Sequence, residues 1–186
     1  MPTTATKTSP NASKGAANKS AARKPANQSN SSGTDAIDLL IADHKEVKTL
    51  FKQYNKLAEA DGDTEKRRAI ALQICVALSA HATAEEELFY PAAREVLGED
   101  VGLVDEADVE HASAKELIAQ IKVGTPDDPL YDAKVKVLGE YIDHHVKEEE
   151  GEMFPKVRKS DLDLAALGED LAARKAELMG QTAGPI

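Results

Sequence analysis

His81-Ala-Thr-Ala-Glu-Glu-Glu-Leu-Phe-Tyr-Pro91 and His145-Val-Lys-Glu-Glu-Glu-Gly-Glu-Met-Phe-Pro155 are two copies of one pattern. In each, an H-x-x-x-E unit is followed, six residues after the glutamate, by a proline. Each copy is preceded by a lone histidine: His44 in Asp43-His-Lys-Glu46, 37 residues before His81, and His111 in Glu110-His-Ala-Ser113, 34 residues before His145. A repeated His…H-x-x-x-E arrangement is a metal-ligand pattern, and each repeat spans about one helical hairpin.

The residues around the motifs have helical periodicity. The spacing predicts a first helix from near Asp35, where Ser32-Gly-Thr-Asp35 has the outline of a capping box with Asp in place of Glu. Its inward stripe is Ile37, Leu40, Ile41, His44, Val47, Phe51 and Tyr54. Asp61-Gly-Asp63 breaks the chain, and a second stripe follows: Ile70, Ile74, Ala77, His81, Glu85 and Leu88. After the loosening at Gly98 to Gly102, a third helix carries Val104, Ala107, His111, Ala114, Ile118 and Ile121. Gly124-Thr-Pro-Asp-Asp-Pro129 is a loop, with Asp128 placed to cap a helix that begins at Pro129. The fourth stripe is Val135, Leu138, Tyr141, Ile142, His145 and Glu149. These are the ingredients of an all-α, up-down-up-down four-helix bundle over residues 34–159. Residues 160–186 predict a peripheral C-terminal helix, with Leu164, Leu167, Leu171 and Leu178 at helical spacing.

Composition sets the limits. The net charge is −10, while residues 1–33 hold five basic side chains and no acid; removing that +5 leaves −15 on the rest. Residues 1–33 have almost no large apolar side chains and read as a disordered basic tail, with a transit peptide or a weak nucleic-acid contact as the functional alternatives. An acidic body does not suit phosphate backbones. Cys75 is the only cysteine, so no intramolecular disulfide forms. No apolar run approaches the ~20 residues of a membrane span. A soluble, cytoplasmic protein is expected.

Helix lengths test whether the six motif residues can meet. His44 lies about 24 Å before the first turn and His81 about 27 Å after it; the corresponding figures for His111 and His145 are about 18 Å and 24 Å. All four histidines therefore belong near one level of the bundle. Four residues turn a helix by about 400°, so each glutamate of H-x-x-x-E follows its histidine onto the same face. Glu86 and Glu150 are turned about 100° further and are second-choice ligands, and His144, beside His145, belongs at the surface or behind the ligands. Taken singly, His44 or His111 reads as a hydrogen-bonded core residue, and each H-x-x-x-E as a solvated ion pair. Glu87, Glu148 and Glu152 read as solvated face. Jointly, four imidazoles and two carboxylates inside a bundle need compensation. Two divalent ions bridged by Glu85 and Glu149 would provide it; iron is favoured, with manganese or zinc as substitutes.

These motifs resemble the hemerythrin-like, HHE cation-binding family of bacterial type, from about Asp35 to Lys159. The resemblance implies a four-helix bundle with a non-haem di-iron centre and, by motif position, His44, His81, Glu85, His111, His145 and Glu149 as ligands. Oxygen-carrying hemerythrins have a further histidine on the third helix, where this chain has Ala107. Their last carboxylate is an aspartate five residues after its histidine, a position held here by Glu150. The reading is a metal-binding protein whose di-iron centre binds oxygen, nitric oxide or iron in sensing, storage or stress response. The alternatives are a di-iron enzyme acting on peroxide, which the open position at Ala107 permits, and a bundle merely stapled by metal. A ferritin-like ferroxidase fits less well, because no E-x-x-H stands on these helices.

Overall fold

A computed structural model describes residues 34–60 and 62–182. The expected basic tail, residues 1–33, lies outside the described residues. Every regular element among those described is helical. Four long helical arms form the bundle: α1 (Ala36–Glu59); α2 (Thr64–Ala84), continued by α3 (Tyr90–Leu97); α4 (Gly102–Val123); and α5 (Tyr131–Glu148), continued by α6 (Phe154–Val157). A last helix, α7 (Leu164–Thr182), packs against α1 and α2. No described helix is long and apolar enough to cross a membrane.

The helix starts differ in detail from the sequence expectation. Asp35 is itself the N-cap of α1, and its carboxylate accepts from the Asp38 amide at 2.9 Å. Asp63 caps α2 in the same way. Asp128 does not cap a helix at Pro129. Its side chain accepts from the Thr125 amide and its carbonyl from the Tyr131 amide, so it closes the loop and α5 starts at Tyr131. Gly98, at φ +56°, ends α3 in a conformation that a side chain would disfavour. Tyr141, expected on the inward stripe of α5, is 49% exposed.

The larger difference is that both H-x-x-x-E arms are interrupted. Glu85–Phe89 and Glu149–Met153 are single turns of π-helix. The Tyr90 amide donates to the Glu85 carbonyl, and the Phe154 amide to the Glu149 carbonyl, five residues back. The next residue in each case is proline. An α-helical proline clashes with the carbonyl four residues before it and has no N–H to donate. Widening the preceding turn relieves that clash without ending the helix. The paired Glu-x5-Pro spacing is therefore the local cause of the paired π-turns.

The core has two apolar halves. One gathers Leu40, Phe89, Val104 and Phe154; the other Val47, Ile74, Ile118 and Leu138. Each arm crosses between them at its histidine, so the polar residues form a layer sandwiched between the two halves. Far from that layer, Tyr54 donates to Asp132, which also accepts from the buried Arg67 at 2.8 Å, tying α1, α2 and α5 together.

Helix α7 reaches the core. Leu171 is fully buried with Leu40 and Phe154. Gly168 permits the approach: a Cβ there would lie 2.8 Å from the Ala36 nitrogen and 3.0 Å from the Asp35 carbonyl carbon, both backbone atoms that cannot step aside. We expect Gly168→Ala to destabilise the protein by about 1–3 kcal/mol, the usual cost of overpacking. Urea denaturation measures this, with hydrogen exchange expected to rise first in α7.

Candidate metal centre

The six residues singled out by their spacing all converge. His44, His81, His111, His145, Glu85 and Glu149 are each at least 94% buried. His44 and His81 face each other through their Nε2 atoms at 3.2 Å, and His111 and His145 do the same at 3.2 Å. The two carboxylates link these pairs. Glu85 Oε2 lies 3.1 Å from His81 Nε2 and 3.5 Å from His111 Nε2. Glu149 Oε2 lies 3.3 Å from His44 Nε2 and 3.4 Å from His145 Nε2.

Each imidazole turns its other nitrogen outward to a carboxylate. His44 Nδ1 meets Glu150 at 2.9 Å, His81 Nδ1 meets Asp43 at 3.1 Å, His111 Nδ1 meets Glu86 at 3.0 Å and His145 Nδ1 meets Glu110 at 2.8 Å. A carboxylate acceptor puts the proton on Nδ1 and leaves the Nε2 lone pair facing inward, the tautomer a metal-ligating histidine needs. Glu86 and Glu150, expected to turn away as second-choice ligands, orient the histidines instead. Their neighbours hold them in turn: Lys115 grips Glu86 at 2.5 and 2.6 Å, and Lys175 of α7 pairs with Asp43. Glu87, expected in solvent, pairs with Arg174 of α7 at 2.6 Å. His144 is 62% exposed at its side chain and lies near Glu148 and Glu110.

Tyr90 is the inner residue that sequence reasoning missed. Its hydroxyl donates to Glu149 Oε1 at 3.0 Å and lies 3.3 Å from His111 Nε2, while its ring stacks on the His111 imidazole. It follows the first π-turn directly, so its direction depends on that turn.

The donor set fits a metal. Both oxygens of Glu85 and Oε2 of Glu149 are fully buried with no hydrogen-bond partner, although imidazole nitrogens lie 3.1–3.5 Å away from the two Oε2 atoms. Inward lone pairs facing unpartnered carboxylate oxygens repel one another unless a cation lies between them. An ion bound at about 2.1 Å by nitrogen and oxygen donors spaces adjacent donors about 3.0–3.4 Å apart, close to the separations found. Two overlapping groups have this potential: His44, His81, Glu85 and Glu149, and Glu85, His111 and His145.

The electrostatics without metal are strained. Burial raises the Glu85 carboxyl, and the charge of Glu149 raises it further. Burial also acts on Glu149, but the charge of His145 and the His44 contact outweigh it and bring that carboxyl down to about 2. Burial opposes a charged His81, yet Glu85 and Asp43 overcome it and raise it to about 10. His111 goes the other way, to about 3, through burial and then the charge of His145. The signs predict a stability maximum near neutral pH for the metal-free protein. The contribution of His81 is complete below about 6.5 and is lost as pH rises through about 10. The depressed His111 removes stability as pH falls from about 6.5 to about 3, because only the unfolded chain takes up that proton. In urea titrations with chelator present, His111→Gln should flatten that acid limb and leave the alkaline limb in place.

Comparison with known proteins identifies the family and the fold. Residues 35–157 match the hemerythrin HHE cation-binding domain family. A DNA nickase of Nostoc sp. is 33% identical over 123 residues, 66% of this chain, and the chain spans only 33% of that protein's length. The uncharacterized protein Rv2633c of Mycobacterium tuberculosis is 27% identical over 149 residues, covering 78% of this chain and 88% of the relative. The crystal structure of a hemerythrin HHE cation-binding domain-containing protein from Mycobacterium kansasii, a homolog of Rv2633c, shares the fold, with a TM-score of 0.65 and 24% identity over 79% of this chain and 88% of that one. With its His/Glu clusters set between the two halves of a helical core, the chain belongs to the hemerythrin HHE cation-binding family.

Proposed function

We propose that the buried layer holds two iron ions and that the protein binds small oxygen or nitrogen species, or iron itself, in sensing, storage or stress response. His44 and His81 would hold one ion, His111 and His145 the other, with Glu85 and Glu149 shared between them. Bound iron would supply Lewis-acid and redox chemistry toward dioxygen, nitric oxide or peroxide. The observation that carries this reading is the pair of buried carboxylates with unpartnered oxygens, each within 3.5 Å of histidines from both clusters. Imidazole with bridging carboxylate is a donor set suited to iron.

The surroundings favour a small, uncharged ligand. Beside the histidines lies a small pocket whose surface is mostly apolar, lined by Val47, Leu78, Ala114, Ile118 and Ile142, with Asp43 and Lys115 also on its wall. An apolar wall does not compensate a charged guest. Peroxide turnover is the second reading. It is favoured by Ala107, which brings no donor to the face it shares with His111, and by Tyr90, which places a phenol oxygen beside Glu149. The nicking activity named for the Nostoc relative is not carried over, since the shared segment is a third of that protein and this chain's net charge is −10.

After anaerobic ferrous loading and removal of excess metal, elemental analysis should give two iron ions per chain, with near-ultraviolet absorption developing under oxygen. Retention of no iron would refute the proposal, and Glu149→Ala should abolish stoichiometric binding while helicity persists. Asp43→Asn should weaken metal retention in chelator competition by roughly 10–100-fold, the usual effect of removing a histidine's outer carboxylate. Oxygen evolution from peroxide by the loaded protein, absent from the metal-free protein, decides for the second reading.

A further inference from the structure

The second motif occurs twice, one residue out of register. His145-x-x-x-Glu149 overlaps His144-x-x-x-Glu148, whereas the first motif is flanked at the same offset by Ala80 and Ala84. A shift of one residue turns the helix by about 100°, so the outer pair stands beside the inner one and faces solvent. His144 Nε2 lies 3.2 Å from Glu148 Oε1 and 3.5 Å from Glu110 Oε1. These donors lie close enough together to share one ion. Glu110 belongs to both levels: its other oxygen, Oε2, holds His145 Nδ1 at 2.8 Å.

A narrow cleft runs between the two levels on the Glu110 and Glu148 side. Glu110 and Glu148 line it with His145, Ala107 and Glu149. Their side chains are 21% and 32% exposed, while that of Glu149 is 1% exposed. Glu149, whose Oε2 is buried without a hydrogen-bond partner, lines this cleft at its inner end, and the carboxylates of Glu110 and Glu148, which lie beside His144, line it nearer the surface. Ala107 keeps this wall low, because a methyl stands where a longer side chain would fill the cleft.

We propose that Glu110, His144 and Glu148 form a surface capture site for a divalent cation, from which the ion passes along the Ala107 cleft to Glu149 and the buried histidines. The inference rests on the reading of the buried layer as a metal centre. No bond other than metal coordination changes and no electron moves. The ion exchanges water for the outer donors, then the outer donors for the inner ones. An exposed, mixed imidazole–carboxylate site binds weakly enough to release the ion inward, and its negative field raises the local cation concentration.

The test is the rate at which full-length, metal-free protein takes up ferrous ion under anaerobic conditions, with samples quenched by chelator and bound iron measured. The variants are His144→Ala, Glu148→Gln and the pair, with Glu65→Gln, at the far end of α2, controlling for the loss of one charge. We expect the double variant to load about tenfold more slowly, at the lower end of the gain a charged funnel gives. Its final iron content should equal that of the unmodified protein. Slow loading should persist in both single variants, and Glu148→Asp should restore most of the rate. Added salt should slow the unmodified protein more than the double variant. Equal loading rates in all variants would overturn the capture site while leaving the buried centre standing. A lower final content at an unchanged initial rate would also overturn it, by making the pair part of the equilibrium ligand set. Failure of the unmodified protein to retain iron would refute the buried centre itself, which the variants then cannot rescue.

Discussion

Everything in this fold is arranged around one electrostatic constraint: four imidazoles and two carboxylates are held in a single layer inside an apolar bundle. Taking a charge out of water costs several kcal/mol even after relaxation, and each of the six residues is at least 94% buried. Part of the answer lies outside the layer, where Asp43, Glu86, Glu110 and Glu150 each take an imidazole Nδ1. That satisfies the outer half of every histidine and leaves the inner half crowded, because four Nε2 atoms converge on Glu85 and Glu149. A family that binds cations is what such a layer requires. Without a cation, the carboxylates around His81 raise it while burial and the charge of His145 lower His111.

The π-turns follow from the same demand. A straight helix would carry Glu85 and Phe89 on nearly one line, one turn apart. Opening the turn lets Glu85 stay in the layer while Tyr90 swings its hydroxyl to Glu149 on another arm. The second π-turn lets Glu149 face the layer while Phe154 stacks along His44, with ring centroids 5.9 Å apart. The prolines make this geometry local and stable, since each removes the donor whose absence an α-helical turn would feel most.

Much of this was legible in the chain. Period 3.6 places His44 between Leu40 and Val47 on the buried face of α1, and comparable helix lengths bring the four histidines to one level, as the 3.2 Å contacts record. The outer carboxylates were less legible. Angles on one helix say that Glu86 and Glu150 leave their own histidine, but not that each reaches a histidine on a different arm. Tyr90 was hidden because regular helical angles fail across a π-turn; the Glu-x5-Pro spacing was the available signal. The part of α7 beside the centre was illegible for a different reason. Its leucines specify a buried stripe, but the pairing of Lys175 with Asp43 joins residues 132 apart in sequence, a separation for which periodicity has no term.

The two hairpins now differ in a way that their shared motif conceals. The first is covered: α7 packs over it, Lys175 and Arg174 neutralise Asp43 and Glu87, and Ala80 and Ala84 supply no second His–Glu pair beside His81 and Glu85. The second has no such cover. His144 is exposed and Glu148 partly so, and Glu110 spans from them to His145 in the buried layer. A duplicated unit with one face covered and the other lined with donors would separate, under the proposed capture route, two tasks that conflict in a symmetric site. Tight retention needs donors shielded from water and tethered by their neighbours, as in the first hairpin. Exchange with solvent needs donors that are accessible and only weakly partnered, as in the second. Under that proposal the overlap of two H-x-x-x-E pairs on α5 would let one helix serve both, because a single residue of register separates the buried face of His145 and Glu149 from the outer face of His144 and Glu148.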